Sequence, residues 1–368
     1  MNSIQWRAYA LPYLTIAAAT TAASAVLDLV GLPAPVLFGS LLSATGYALL
    51  SRTPLHMPEP ATRLGQALIG VVIGTMVTPS ALAAIGADLV AITAVTLATV
   101  VISVLAGRLL ALRADVSAAT GAFAMIAGGG AGVSAVAHDL GADDRVVAVV
   151  QQLRLLAVLF SMPAVVALAF HATGGLGPVA APHAPVWPSA VFVAGAALIG
   201  LLTARFVPVA TGSLLCPLAA AAVLAATGWL GPVDVPQPAQ WLGYALVGAQ
   251  VGLRFTRASL ISIARMLPVV VLLVVAVVAV TAALGALLAW LTPVDGLTAY
   301  LATTPGGIVA VLAAATDTGS NPTYVMAVQV LRLLIVLAVT PPLASWLNRR
   351  QARRNPTRPA RPSPEQPA

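Results

Sequence analysis

Apolar stretches recur along the whole chain, separated by short turns in which charge, glycine or proline collects. A helix crosses a hydrocarbon core of ~30 Å with about 20 apolar residues. A window of that length predicts about twelve helical segments. They fall near 9–27, 34–50, 64–84, 89–111, 116–137 and 145–170, then 187–205, 209–230, 240–260, 266–290, 296–315 and 323–346. The stretch from His171 to Trp187 contains no Asp, Glu or Arg and divides the chain near its middle. The expected organisation is a first membrane repeat over 1–170, a linker over 171–186 and a second membrane repeat over 187–347. A disordered tail rich in Arg and Pro would follow over 348–368.

The second half copies the first. "LGQALIGVVIG" from Leu64 returns as "LGYALVGAQVG" from Leu242, 178 positions later. The same spacing relates Gly128 to Gly306, Asp139 to Asp317, Gln151 to Gln329, Arg154 to Arg332 and Pro163 to Pro341. One constant offset that covers polar as well as apolar positions marks an internal duplication.

Arginine placement orients the copies, because cytoplasmic loops collect positive charge. In the first half Arg52 and Arg63 lie between segments two and three, and Arg108 and Arg113 flank the turn after segment four. The turn after segment three holds only Asp88. In the second half Arg254, Arg257 and Arg265 follow the copy of segment three, whereas the other two turns carry Asp234 and Asp295. Equivalent loops therefore lie on opposite sides, as in the inverted repeats of many secondary transporters. Inversion requires an odd number of crossings per half, so one segment in each should be broken or re-entrant. The fifth is the candidate, with "AGGGAG" at Ala127–Gly132 and "TTPGGI" at Thr303–Ile308. Such backbone is tolerated at membrane depth only when buried in protein or lining a watery cavity. The expected fold is thus an all-α polytopic membrane protein of two inverted repeats, with about ten crossings plus two broken helices. Both termini are expected in the cytoplasm of an inner-membrane protein.

Composition agrees. Of 368 residues 60% are hydrophobic and only 8% charged, against about 25% charged in a soluble domain. All 18 basic residues are arginine, and six of them fall after Asn348. The net charge of +7 therefore describes a basic tail rather than a nucleic-acid surface. The apolar run after Arg7 resembles a signal peptide, but its length and the segments that follow favour a first spanning helix. Cys216 lies in an apolar run and reads as a small buried hydrophobe.

Each broken segment is followed by a polar cassette. The glycines Gly128, Gly129 and Gly130 precede Asp139, Gln151 and Arg154. Thr303, Thr304, Pro305, Gly306 and Gly307 precede Asp317, Gln329 and Arg332. Gln and Arg three apart share a helix face, and an arginine at the bilayer centre must turn inward and find partners. These residues are the candidate solute-binding set, with Asp139 and Asp317 as candidate carriers of a coupling H+ or Na+. The alternative is structural: Asp139–Arg154 and Asp317–Arg332 could be internal ion pairs that fix each repeat. The glycines at Gly65, Gly70 and Gly74, with their copies Gly243, Gly248 and Gly252, read as close-packing positions. Enzymatic chemistry finds little support. His56, His138, His171 and His183 are scattered, no Walker loop is present, and Ser134–His138–Asp139 is replaced by Leu312, Thr316 and Asp317 in the second copy. No metal site and no cofactor are expected.

The duplicated stretch "GGGAGVSAVAHDLGADDRVVAVVQQLRLL" and its copy "TTPGGIVAVLAAATDTGSNPTYVMAVQVLRLL" resemble the bacterial AbrB membrane family. The likeness extends over nearly the whole chain to about Trp346. Members carry labels such as ammonia monooxygenase or AbrB-family transcriptional regulator, and the family resembles a superfamily of antiporters and symporters built from inverted repeats. The expected function is a secondary transporter or exporter of a small polar or anionic solute. The alternatives are a membrane-bound metabolite sensor that regulates gene expression and, with least support from the residues, a membrane monooxygenase. The expected partners are the bilayer and the solute, without nucleic acid, and a homo-oligomer is compatible with the sequence.

Overall fold

The computed structural model describes residues 3–51, 55–77, 83, 85–112, 116–126, 142–172, 186–206, 212–227, 233–254 and 266–354, and every regular element among them is a helix. In chain order these are α1 Ser3–Leu29, α2 Pro35–Leu50, α3 Glu59–Gly74, α4 Leu89–Leu110, α5 Ala118–Met125 and α6 Asp144–Ala169. After the mid-chain loop come α7 Val186–Thr203, α8 Gly212–Thr227, α9 Gln237–Leu253, α10 Leu267–Leu291, α11 Gly296–Thr303, α12 Ile308–Asp317 and α13 Pro322–Arg354.

Local sequence explains the boundaries. Proline stands in the first turn of α2, α3, α9 and α10, where its missing N–H costs nothing. Ser117 and Asp295 cap α5 and α11 by accepting the N–H of Thr120 and Thr298. Several expected boundaries move. Segment three spans 59–74 rather than 64–84, and α13 runs to Arg354, into the stretch assigned to the tail.

The protein is an all-helical membrane protein. Leu11–Leu29, Leu89–Leu110, Val146–Ala169 and Leu267–Leu291 are each long and apolar enough to cross a bilayer, and shorter apolar helices accompany them. Along α10, Leu272 and Val275 are exposed while Val270, Leu273, Val274 and Val277 are buried. Both faces are apolar, which suits lipid on one side and protein on the other.

The copies fold alike. The starts of α3 and α9, α4 and α10, α5 and α11, and α6 and α13 are each 178 residues apart. Side-chain bonds repeat at the same spacing. Thr120 Oγ1 accepts the Asp143 N–H as Thr298 Oγ1 accepts that of Asn321, both at 3.0 Å. Asp143 Oδ1 accepts the Val146 N–H, and Asn321 Oδ1 accepts the Tyr324 N–H.

Equivalent helices run in opposite directions. Ala34, at the start of α2, donates its N–H to Asp317 Oδ2 at 2.6 Å. Met76 O, just past α3, accepts the Thr323 hydroxyl at 3.1 Å. Asp317 and Thr323 flank one tight turn, so α2 begins where α3 ends and the two are antiparallel. Gly70 faces Leu214 and Leu218, and Gly74 faces Leu218 and Ala221, so α8 runs parallel to α3. Hence α8 runs against α2, its own counterpart. The contact is reciprocated: Gly248 faces Leu37 and Leu41, and Gly252 faces Leu41 and Ala44. Each half thus lays its glycine-bearing helix on the other half.

Candidate functional site

The site is built where half-helices stop. In the second half α11 ends at Thr303, Thr304 and Gly307 are extended, and α12 starts at Ile308. Pro305 cannot donate an N–H, and the two glycines after it favour the break. Thr303, Thr304 and Pro305 are buried, whereas Gly306 to Val309 are partly exposed. No side chain caps the start of α12 at Gly307. The break packs on α6 of the other half: a methyl added to Gly306 would lie 3.1 Å from Val158 Cγ1, and one on Gly307 3.0 Å from Leu155 Cδ1. In the first half α5 stops at Met125, with Ile126 extended. Gly128, Gly129, Gly130 and Asp139 lie outside the described residues.

The two Gln–Arg pairs clamp these ends. On α13, Gln329 Nε2 donates to Leu301 O and Thr304 O, both at 3.1 Å. Arg332 Nη1 donates to Thr304 O at 3.0 Å and Thr303 O at 3.4 Å, and Nη2 donates to Gln329 Oε1. On α6, Gln151 Nε2 donates to Phe123 O at 2.9 Å and Arg154 Nη1 to Met125 O at 2.7 Å. Each arginine thus answers the carbonyls that a helix leaves unpaired at its C-terminus, where positive charge is favoured.

Three features separate this from ordinary capping. Both side chains are buried, Arg154 at 6% and Arg332 at 4% exposure. Their acceptors among the described residues are neutral oxygens. Among the described residues the Nε of each has no hydrogen-bond partner. The halves also meet here: the break whose carbonyls Arg332 holds packs against Leu155 and Val158, which follow Arg154 on α6.

A family model described as "Transition state regulatory protein AbrB" matches residues 36–348, from α2 into α13. The chain belongs to the AbrB family. It is 30% identical over 323 residues to "Putative regulator AbrB" of Escherichia coli (strain K12), which covers 87% of this chain and 91% of the relative. It is also 23% identical over 354 residues to "Uncharacterized protein YhjN" of Bacillus subtilis (strain 168), covering 90% and 92% respectively.

Within the AbrB-family match, Asp317 stands apart from the arginines. It ends α12, roughly 15 Å along the helix from Gly307 at 1.5 Å per residue. There its carboxylate receives the Ala34 N–H at the start of α2. Sequence reasoning missed this arrangement, because the partner is a backbone group 283 residues away. It also missed Leu155 and Val158, which face the break; their spacing from Arg154, one and four residues on, was the available signal.

Proposed function

We propose that this AbrB-family protein is a secondary transporter or exporter of a small polar or anionic solute across the inner membrane, with both termini cytoplasmic. The supporting observation is that Arg154 and Arg332, one from each inverted half, are buried at two interrupted helix ends, and that the break held by Arg332 packs against the residues following Arg154. Sites at the junction of inverted repeats with discontinuous helices are the usual seat of alternating access. Gln151, Gln329 and the Thr303–Gly307 stretch complete the site, with Gly128, Gly129 and Gly130 as first-half counterparts. Asp139 and Asp317 serve the coupling H+ or Na+, Asp317 through its hold on α2.

Counterflow in proteoliposomes tests the reading. The unaltered protein exchanges a labelled solute, while Arg154→Ala and Arg332→Ala abolish exchange yet stay folded in the membrane. Variants that are degraded instead would assign the arginines to architecture. The second reading, a membrane sensor, is favoured by the regulator name carried by the Escherichia coli relative. A sensor binds its metabolite without exchanging it.

A further inference from the structure

We infer that the solute held between Arg154 and Arg332 is a small dianion that offers one negative charge to each guanidinium, as a short dicarboxylate does. This rests on reading the same site as a solute-binding centre.

The argument begins with charge. Placing an arginine at membrane depth costs about 2.5–3.5 kcal/mol even on the lenient insertion scale, and here a second one holds the break that packs against the residues following the first. Their partners among the described residues are Met125 O, Thr303 O, Thr304 O and Gln329 Oε1. All of these are neutral, so they satisfy donors without cancelling charge. Counting the described residues, a neutral solute leaves both positive charges uncompensated, and a monoanion leaves one. A dianion leaves none.

Donor placement points the same way. Each guanidinium keeps an Nε with no partner among the described residues while more than nine-tenths buried. Arg332 sits on the carbonyl of Thr304, the first residue of the break. A few residues on, the uncapped start of α12 supplies further N–H groups and a partial positive charge. Beside these donors Leu155 and Val158 stand against Gly307 and Gly306. An apolar wall beside donors suits two carboxylates joined by a short hydrocarbon spacer.

Titration calorimetry on the full chain in detergent tests this with succinate, sulfate, lactate and putrescine as probes. Succinate is expected to bind at least about tenfold tighter than lactate, as the loss of one charge-assisted contact implies, and putrescine not at all. Arg154→Gln and Arg332→Gln should each erase the preference over lactate, while Arg154→Lys and Arg332→Lys retain it. Sulfate matching succinate would uphold the dianion and make it inorganic. The inference is overturned if lactate binds as tightly as succinate, if neither dianion binds, or if both glutamine variants keep the preference. Should the glutamine variants not fold, the lysine variants and the unaltered protein's ranking decide. Dianion binding without counterflow would keep this inference and refute the carrier; counterflow that prefers lactate would do the reverse.

Discussion

Gln329 is fully buried and serves three groups at once: Leu301 O, Thr304 O and the Arg332 guanidinium. Its counterpart Gln151 is partly buried and serves Phe123 O. A buried polar group that loses its partner costs about 1–3 kcal/mol, so the copies should differ. Gln329→Leu is expected to lower the midpoint of thermal unfolding clearly more than Gln151→Leu, measured on detergent-solubilised protein. Equal shifts would contradict the asymmetry. Asp317 acts differently: its carboxylate at the start of α2 complements the helix dipole. The Ala34 that it holds has a φ of 49°, a left-handed conformation that costs about 1–2 kcal/mol outside glycine. The Gln–Arg pairs were legible in the sequence because they occur twice at helical spacing. The Asp317 contact was not, since neither the positive φ of Ala34 nor a backbone donor leaves any mark on residue type.

Among elements, the break between α11 and α12 was legible because its cause is local. Proline followed by two glycines interrupts a helix wherever it falls. The ends of α3 were misread for an equally physical reason. A hydropathy window rejects Glu59 and Arg63, yet they open the helix, joined as an i, i+4 ion pair of the kind that favours helix. The Arg-rich end of α13 was assigned to the tail on composition, although cations suit a helix C-terminus. Helix packing gives a sharper test. A methyl on Gly248 would collide with the Leu37 carbonyl, whereas around Gly46 nothing lies within 4 Å. Overpacking a close contact costs about 1–3 kcal/mol. Gly248→Ala should therefore reduce the folded, monodisperse fraction after heating, followed by fluorescence-detected size exclusion, while Gly46→Ala leaves it unchanged. Equal tolerance would mean that α2 and α9 are not in backbone contact.

Across the whole molecule, the two halves interlock. α3 lies on α8, α9 lies on α2, and the broken α11–α12 segment rests on α6. Inversion follows independently from arginine placement and from helix direction. The first works because loop charge records sidedness; the second needs Ala34, Asp317, Met76 and Thr323 in their places. The number of crossings was less legible. Helices such as α2 and α8, at 16 residues each, reach only ~24 Å of a ~30 Å core, so length alone does not class them.

His56 and Asp234 are equivalent positions 178 residues apart, both exposed and both in the turn before a glycine-bearing helix. In a Cys216→Ser background, His56→Cys and Asp234→Cys can be probed in intact cells with a membrane-impermeant maleimide. Inverted halves with the arginine-rich turn inside predict labelling of Asp234→Cys from outside, and of His56→Cys only after the membrane is opened. Labelling of both from the same side would contradict the inversion, and with it the paired arginine site on which the functional reading stands.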